Sequence, residues 1–181
     1  MTYPVYTGKL LVATPTIDDD PTFKESIVYI TEEKDSTVYG FILNKPTTMK
    51  ISDVVSAVGG TETFINEQKV HMGGPVGQEA LFLLHSDEWY AKTTKQCQNG
   101  IAVSSDYVML EKITTGNLPF DYKLMAGIST WHPRQLAMEI HKGGWLVVDE
   151  PKLEAMFSHT GKNAWTKAIE QAGLQTINTF F

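Results

Sequence analysis

Gly127-Ile128-Ser129-Thr130-Trp131-His132-Pro133-Arg134-Gln135-Leu136 (GISTWHPRQL) is the stretch where one kind of backbone gives way to another. Tyr122 to Ile128, leading into it, is an apolar and aromatic run that predicts a strand. From Pro133 the signals turn helical. Proline stands at the first helical position, Leu136 and Ile140 lie one turn apart on one face, and Gly143 follows as a stop. A helix is therefore expected over 133–142, and Trp145 to Val148 after it reads as a further buried strand. Strand, helix and strand in direct succession put the chain in a mixed α and β class.

Working outward, Gly8 to Pro15 (GKLLVATP) predicts a buried strand closed by proline, and Asp18-Asp19-Asp20-Pro21 a turn. Ser26 to Thr31 and Val38 to Leu43 are rich in β-branched and aromatic residues, which predicts an antiparallel pair joined by the polar loop EEKDST. Ile51 to Val58 has helical spacing, with Ser52 as a cap and Gly59-Gly60 behind it. Lys69 to Met72 and Ala80 to Leu84 predict strands on either side of Gly73-Gly74-Pro75. Ser104 to Thr115 predicts a helix with Asp106 in its first turn and Gly116 at its end, and Tyr90 to Gly100 a loop. Pro151 to Ser158 and Lys162 to Ala172 predict two last helices, the second turning Trp165 and Ile169 inward and ending at Gly173. Elements interleave irregularly, so the expected architecture is α+β, a mixed sheet with helices on it, in one domain over residues 1–181.

Composition narrows the functional classes. The chain has 181 residues, 42% hydrophobic and 20% charged, and a formal charge of −6; its basic residues are all lysine except Arg134. No basic stripe runs through it, which opposes direct nucleic-acid binding, where clustered phosphate contacts and arginine readout are the rule. Cys97 is the single cysteine, so no internal disulfide or cysteine-rich zinc site is expected and a reducing cytoplasm is the natural setting. Neither a basic leader with an apolar core nor a run long enough to span a membrane is read.

The common catalytic signatures are absent: G-x-S-x-G, the Walker loop, G-x-G-x-x-G and H-E-x-x-H. His71, His85, His132, His141 and His159 lack local metal spacing, so no metal or cofactor is expected. Ser26 reads as a strand serine rather than a nucleophile. Cys97, with Lys95 two residues away, is either incidental or a thiol of slightly lowered pKa. Gly73-Gly74-Pro75 is either a nest of backbone amides for an anion or a tight turn. Asn44-Lys45-Pro46 offers a side-chain amide at a strand end, or forms an Asx-type turn. In the opening stretch, a cationic Arg134 in a helix's first turn calls for an anionic neighbour. Gln135, three residues after His132, fits a capping box, and Trp131 a hydrophobic anchor, so the stretch is either a binding site or a packed corner.

Several of these stretches together resemble the AlgH/YqgE family of bacterial proteins: GKLLVATP, Asp20-Pro21-Thr22-Phe23 with Ser26, Gly40 to Pro46, Gly73-Gly74-Pro75-Val76 with Leu84-His85, and Gly127 to Leu136 with Gly144-Trp145. Their order and spacing match over essentially the whole chain. The resemblance implies a bifurcated mixed β-sheet surrounded by helices. It implies no particular reaction and brings no catalytic residues, although the family is often described as transcriptional regulators. Asn44, Gly73, Gly74, Pro75, His85, Trp131, Pro133 and Gln135 match the shared pattern and are candidates for a common surface or for the fold itself. Relatives tend toward W-G-P-G-Q-L where this chain has His132 and Arg134, which add bulk and positive charge.

Three functions follow as expectations. The first is a non-enzymatic regulatory or interaction module, taking another protein or a small anionic ligand near Gly73-Gly74 and the Trp131 corner. The second is a direct DNA-binding regulator. The third is a hydrolase or transferase with His85 or His132 as base, which requires that imidazole to share a concave pocket with an acidic or hydroxyl partner.

Overall fold

The computed structural model describes residues 2–59, 65–158 and 160–180, with the backbone alone for 154, 155 and 175–180; Gly60 and His159 lie outside the described residues. Its strands are β1 (Leu10–Ala13), β2 (Ile27–Lys34), β3 (Thr37–Ile42), β4 (Pro46–Lys50), β5 (Lys69–Met72), β6 (Val76–Ser86), β7 (Lys95–Gln96), β8 (Ile101–Ser104), β9 (Tyr122–Trp131) and β10 (Trp145–Val148). Its helices are α1 (Ile51–Ala57), α2 (Tyr107–Thr114), α3 (Pro133–His141), α4 (Leu153–Phe157) and α5 (Gly161–Phe180).

The strands pair in the order β10-β1-β2-β3-β9-β6-β8-β7, and β5 joins the sheet through β9 while pairing with β4. Among the described residues only β5 and β9 run parallel; the other pairs are antiparallel. The sheet forks at β9. One edge of β9 is taken by β6, from Tyr122 to Ile128. The opposite edge is shared, with β5 beside Met125 and Ala126 and β3 beside Ser129 to Trp131. This is the bifurcated mixed sheet that the resemblance implies.

Crossing from β5 to β6 takes the chain from one edge of β9 to the other, and three glycines permit it. A Cβ on Gly73 would collide with Gly127 O, and one on Gly74 with the Ile128 carbonyl and Ser129 N. Gly127 has φ +78°, and a Cβ there would stand 2.5 Å from Gly74 O. Backbone passes over backbone with no room for a side chain. Gly73 N–H donates to Ala126 O at 2.9 Å, while Gly73 O accepts from Ile42 N–H at 2.8 Å and Ser129 Oγ at 3.0 Å.

Helices cover both faces of the fork. Ile51, Val54, Met109 and Ile113 from α1 and α2 pack on Leu83 and Leu124, while Met156 and Ala164 from α4 and α5 pack on the opposite face with Leu84, Met125 and Phe41. Leu136 of α3 packs with Leu11, Val28 and Ile30 on the β1–β3 wing. No helix among the described residues is long and apolar enough to cross a membrane.

Several boundaries differ from the sequence reading. The β2–β3 loop is Asp35-Ser36 alone, both at positive φ (51° and 59°), a turn whose twist matches the strands, so Glu32 to Lys34 continue β2. β4, β7 and β8 were not expected: Pro46 hides β4 by its poor strand propensity, yet proline is tolerated at a strand's first residue, β7 lies inside the expected Tyr90–Gly100 loop, and Ser104, expected to open a helix, ends β8 instead. Lys50, not Ser52, caps α1; the Ser52 hydroxyl donates to Asn66 O at 2.6 Å. Asp106 is the N-cap of α2, accepting from Met109 N–H. β9 continues to Trp131, three residues past the expected end, because β3 is there to pair with it. α5 runs through Gly173, which in mid-helix costs only about 1 kcal/mol.

Candidate functional site

The residues expected to form one surface are distributed over three places. Trp131 is buried, at 3% exposure, in a cluster with Phe23 (ring centroids 5.4 Å apart) and Trp145 (6.2 Å). It is a hydrophobic anchor under the helix entry. His132 caps α3, its Nδ1 accepting from Arg134 N–H at 3.1 Å. Gln135 does not fold back on the cap amide; its Nε2 donates forward to Glu139 Oε1, while Glu139 Oε2 accepts the Trp145 indole N–H at 2.9 Å. His132, Arg134, Gln135, Met138, Glu139 and Lys142 border a shallow groove along α3. Arg134 has no ion pair among the described residues. The His132 imidazole thus shares a groove with a carboxylate, but both groups are already held by capping and indole contacts.

Gly73 and Gly74 are spent on the strand crossing, and Gly73 N–H is already hydrogen-bonded, so this is not an open nest of amides; Pro75 is exposed beside it. Asn44 is not an Asx turn but a buried clamp. Its Oδ1 accepts from Ile27 N–H at 2.9 Å, and its Nδ2 donates to Glu25 O at 2.9 Å and to Gly161 O at 3.1 Å, tying β2 to the start of α5. His85 is fully buried, with Nδ1–H donating to Ser86 O and Nε2 accepting from Ser104 Oγ, both at 2.8 Å. Burial lowers its pKa. Although Ser104 is a hydroxyl partner, it too is fully buried, and neither residue lines the α3 groove. Ser26 is buried and donates to Phe23 O. Burial pushes the Cys97 thiol up to about 11, with Glu32 adding to the rise, so it is not an activated nucleophile.

What the sequence did not single out is Lys123. It stands on β9 with an exposure of 5%, and its ammonium donates to Leu43 O at 2.6 Å. Burial lowers its pKa to about 8. His71 faces Met125 across the parallel ladder and Lys123 lies two residues before Met125, so lysine and histidine leave the same face of adjacent strands. The His71 Nδ1–H donates to Lys69 O at 3.2 Å, leaving Nε2 to accept from Thr160 Oγ1 at 3.1 Å. Burial first, then the Lys123 charge, lowers the His71 pKa to about 4.

These two groups line a groove of roughly 470 Å³, walled by Tyr122 and Phe157 and rimmed by the 88% exposed Phe120. Lys69, Asp121, Ser158 and Thr160 also border it, and α5 begins one residue after Thr160, placing the positive end of its dipole nearby. Asn44 sets one wall by holding Gly161. No group of three metal-ligating side chains occurs among the described residues. In the sequence, Lys123 is one lysine in an apolar run. A signal exists, since lysine is rarely buried without a reason, but its burial depends on strands distant in sequence.

The His71 environment predicts a specific acid response. A folded pKa near 4 against 6.5 means that the unfolded chain takes up the proton first, so stability falls as pH drops from about 6.5 to 4. The loss is on the order of 3 kcal/mol. Urea midpoints at pH 7 and 4.5 should separate more for the native protein than for His71→Gln; equal separations would mean that the imidazole titrates as if hydrated.

The sequence model of the AlgH-like family matches residues 10–177. UPF0301 proteins of Francisella tularensis, subspecies holarctica (strain FTNF002-00 / FTA) and novicida (strain U112), are each 32% identical over 187 residues, covering 99% of this chain and 96% of the relative. The solution structure of AlgH from Pseudomonas aeruginosa superposes with a TM-score of 0.79 at 21% identity, over 96% of this chain and 92% of that one. The crystal structure of DIP2367 from Corynebacterium diphtheriae gives 0.73 at 22% identity, over 94% and 90%. Agreement over nearly the full length in sequence and fold leaves one conclusion: the chain belongs to the AlgH-like family.

Proposed function

We propose that the protein is a non-catalytic regulatory module of the cytoplasm that binds a small anion, a carboxylate or a phosphate, in the groove over Lys123. The observation that carries this reading is a lysine ammonium held on a core strand at the floor of an open groove. In a medium of reduced dielectric an ammonium attracts an anion more strongly than it does in water. Lys69 and the α5 start add positive potential, and Asp121 places a carboxylate at the rim. The overall charge of −6 acts over longer distances, where salt screens it, and opposes duplex DNA. A free Cys97 with a raised pKa is compatible with a reducing interior.

Thermal shift with phosphate, sulfate, acetate and short duplex DNA tests this directly, since a ligand selective for the folded state raises the melting temperature. The anions should stabilise the native protein and Arg134→Ala, and should act several-fold more weakly on Lys123→Gln. Affinity should also fall as pH rises above about 8, because the anion requires the protonated amine. An effect lost in Arg134→Ala but kept in Lys123→Gln would move the site to the groove along α3. A response to duplex DNA alone would replace the reading.

A further inference from the structure

β7 stands at the far end of the path β2-β3-β9-β6-β8-β7, yet it returns to the strand that opens that path. The Lys95 ammonium meets the Glu32 carboxylate at 3.0 Å, Tyr29 Oη donates to Gln98 O at 2.9 Å, and Asn99 Nδ2 donates to Gly8 O at 2.7 Å. These side-chain contacts close the curled sheet into a barrel-like wall. Lys95, Val103 and Leu84 stand opposite one another across β7, β8 and β6, so Cys97 and Phe82, each two residues away, share their face. Tyr29 and Phe41 are paired in the same way on β2 and β3, and both belong to the core cluster that Phe82, Cys97, Val103 and Ile128 border. α4 and α5 cover one end of this inner face through Met156 and Ala164, near Leu43. Further back along β3, Tyr39, Phe41, Phe82, Cys97, Val103 and Ile128 line a cavity of roughly 320 Å³.

We propose that this cavity binds an uncharged aromatic molecule of one or two rings that carries an N–H or O–H donor, at a site separate from the groove over Lys123. Mouths of curled and closed sheets are common places for such ligands. The size suits them, since an apolar cavity of about 150 Å³ holds a benzene ring and this one has room for a fused pair. The walls suit them too. The Phe41 and Phe82 rings lie 5.2 Å apart at 58°, offering a face and an edge, and the Cys97 sulfur is a further favourable neighbour for a ring. The charged side chains that border the cavity, Lys95 and Glu32, are paired with each other, and burial pushes the Cys97 thiol up to about 11, which keeps it neutral. A charged ligand would have to break that pair or enter without a counterion. Thr31 Oγ1 donates to Tyr39 O at 3.2 Å and Thr93 Oγ1 to Asp106 Oδ2 at 2.8 Å, so both border hydroxyls have committed their hydrogens and offer lone pairs. A donor on the ring is the matching group.

The test uses the full chain and indole as the probe, with Cys97 as the reporter, because it is the only cysteine and borders the cavity. Alkylation of the native protein by N-ethylmaleimide, read by intact mass, should slow in proportion to the unoccupied fraction, about tenfold when indole exceeds its Kd tenfold. Heteronuclear NMR of the labelled protein should place the largest indole-induced amide shifts at Phe82, Cys97, Val103 and Ile128. Indole-3-acetate should bind at least about tenfold more weakly, because its carboxylate meets a lysine that is already paired. Val103→Phe, which adds bulk to the wall, should weaken indole by a similar factor, and the mapping on the native protein decides the matter if that variant does not fold. Unchanged alkylation in indole, amide shifts centred elsewhere, or native affinity in a folded Val103→Phe protein would overturn the site. Equal or tighter binding of indole-3-acetate would overturn the uncharged class.

Discussion

Replacing Gly74 by alanine is expected to abolish the native fold or to cost at least about 3–5 kcal/mol, at the upper end of what a single methyl group does. The added Cβ would overlap the Ile128 carbonyl and Ser129 N, which are backbone atoms of the central strand and have no rotamer by which to yield. Relief requires β5 and β6 to separate at their crossing over β9, and that crossing is the fork of the sheet. Gly173→Ala is the matching control. It lies within α5, where an added Cβ would meet nothing within 4 Å, and alanine should stabilise the helix by up to about 1 kcal/mol. Urea unfolding followed by circular dichroism compares the two. A Gly74→Ala protein with a native midpoint would mean that the crossing is loosely packed.

Trp131→Ala is expected to lower stability by about 3–5 kcal/mol, which for a chain of this size lowers Tm on the order of 10 °C. The indole is 3% exposed and stands against both Phe23 and Trp145, so its removal leaves a cavity among aromatic rings that cannot collapse into it without moving β9 from β3. The edge-on contacts with Trp145 add about 0.5–1.5 kcal/mol beyond burial. Calorimetry and near-ultraviolet circular dichroism would register both losses. The groove over Lys123 should be untouched: at a temperature where the variant remains folded, its response to anions should be native. A lost response in a variant of undiminished stability would make the corner a binding site after all.

The packed corner changes the sense of the shared pattern. Gly73, Gly74 and Asn44, together with Trp131 and the buried His85, act in the fold: two by having no side chain, one by satisfying three backbone groups across two elements, and two by filling the interior. Arg134 and Gln135 remain at the surface of α3, where Gln135 supports the Glu139 that holds Trp145. The groove over Lys123 was brought together instead by β5 and β9 and the segment ahead of α5, which are far apart in sequence.

Local chemistry in the sequence was sufficient for the mixed class and for most helices, because propensity, proline placement and apolar period act within a few residues, but it left the Trp131 stretch open between a site and a packed corner. GISTWHPRQL announces its helix at Pro133 without any help from the rest of the chain. Its strand could not be bounded in the same way, since β9 ends where β3 stops pairing with it, and pairing is a property of two segments. The same reason hid the purpose of the paired glycines, which read equally well as a nest or a turn until Gly127 was placed beneath them. Lys123 is the furthest case. Nothing near it in the chain distinguishes it from an exposed lysine, and only the approach of segments distant in sequence, Leu43 and His71 among them, removes its water and lowers its pKa.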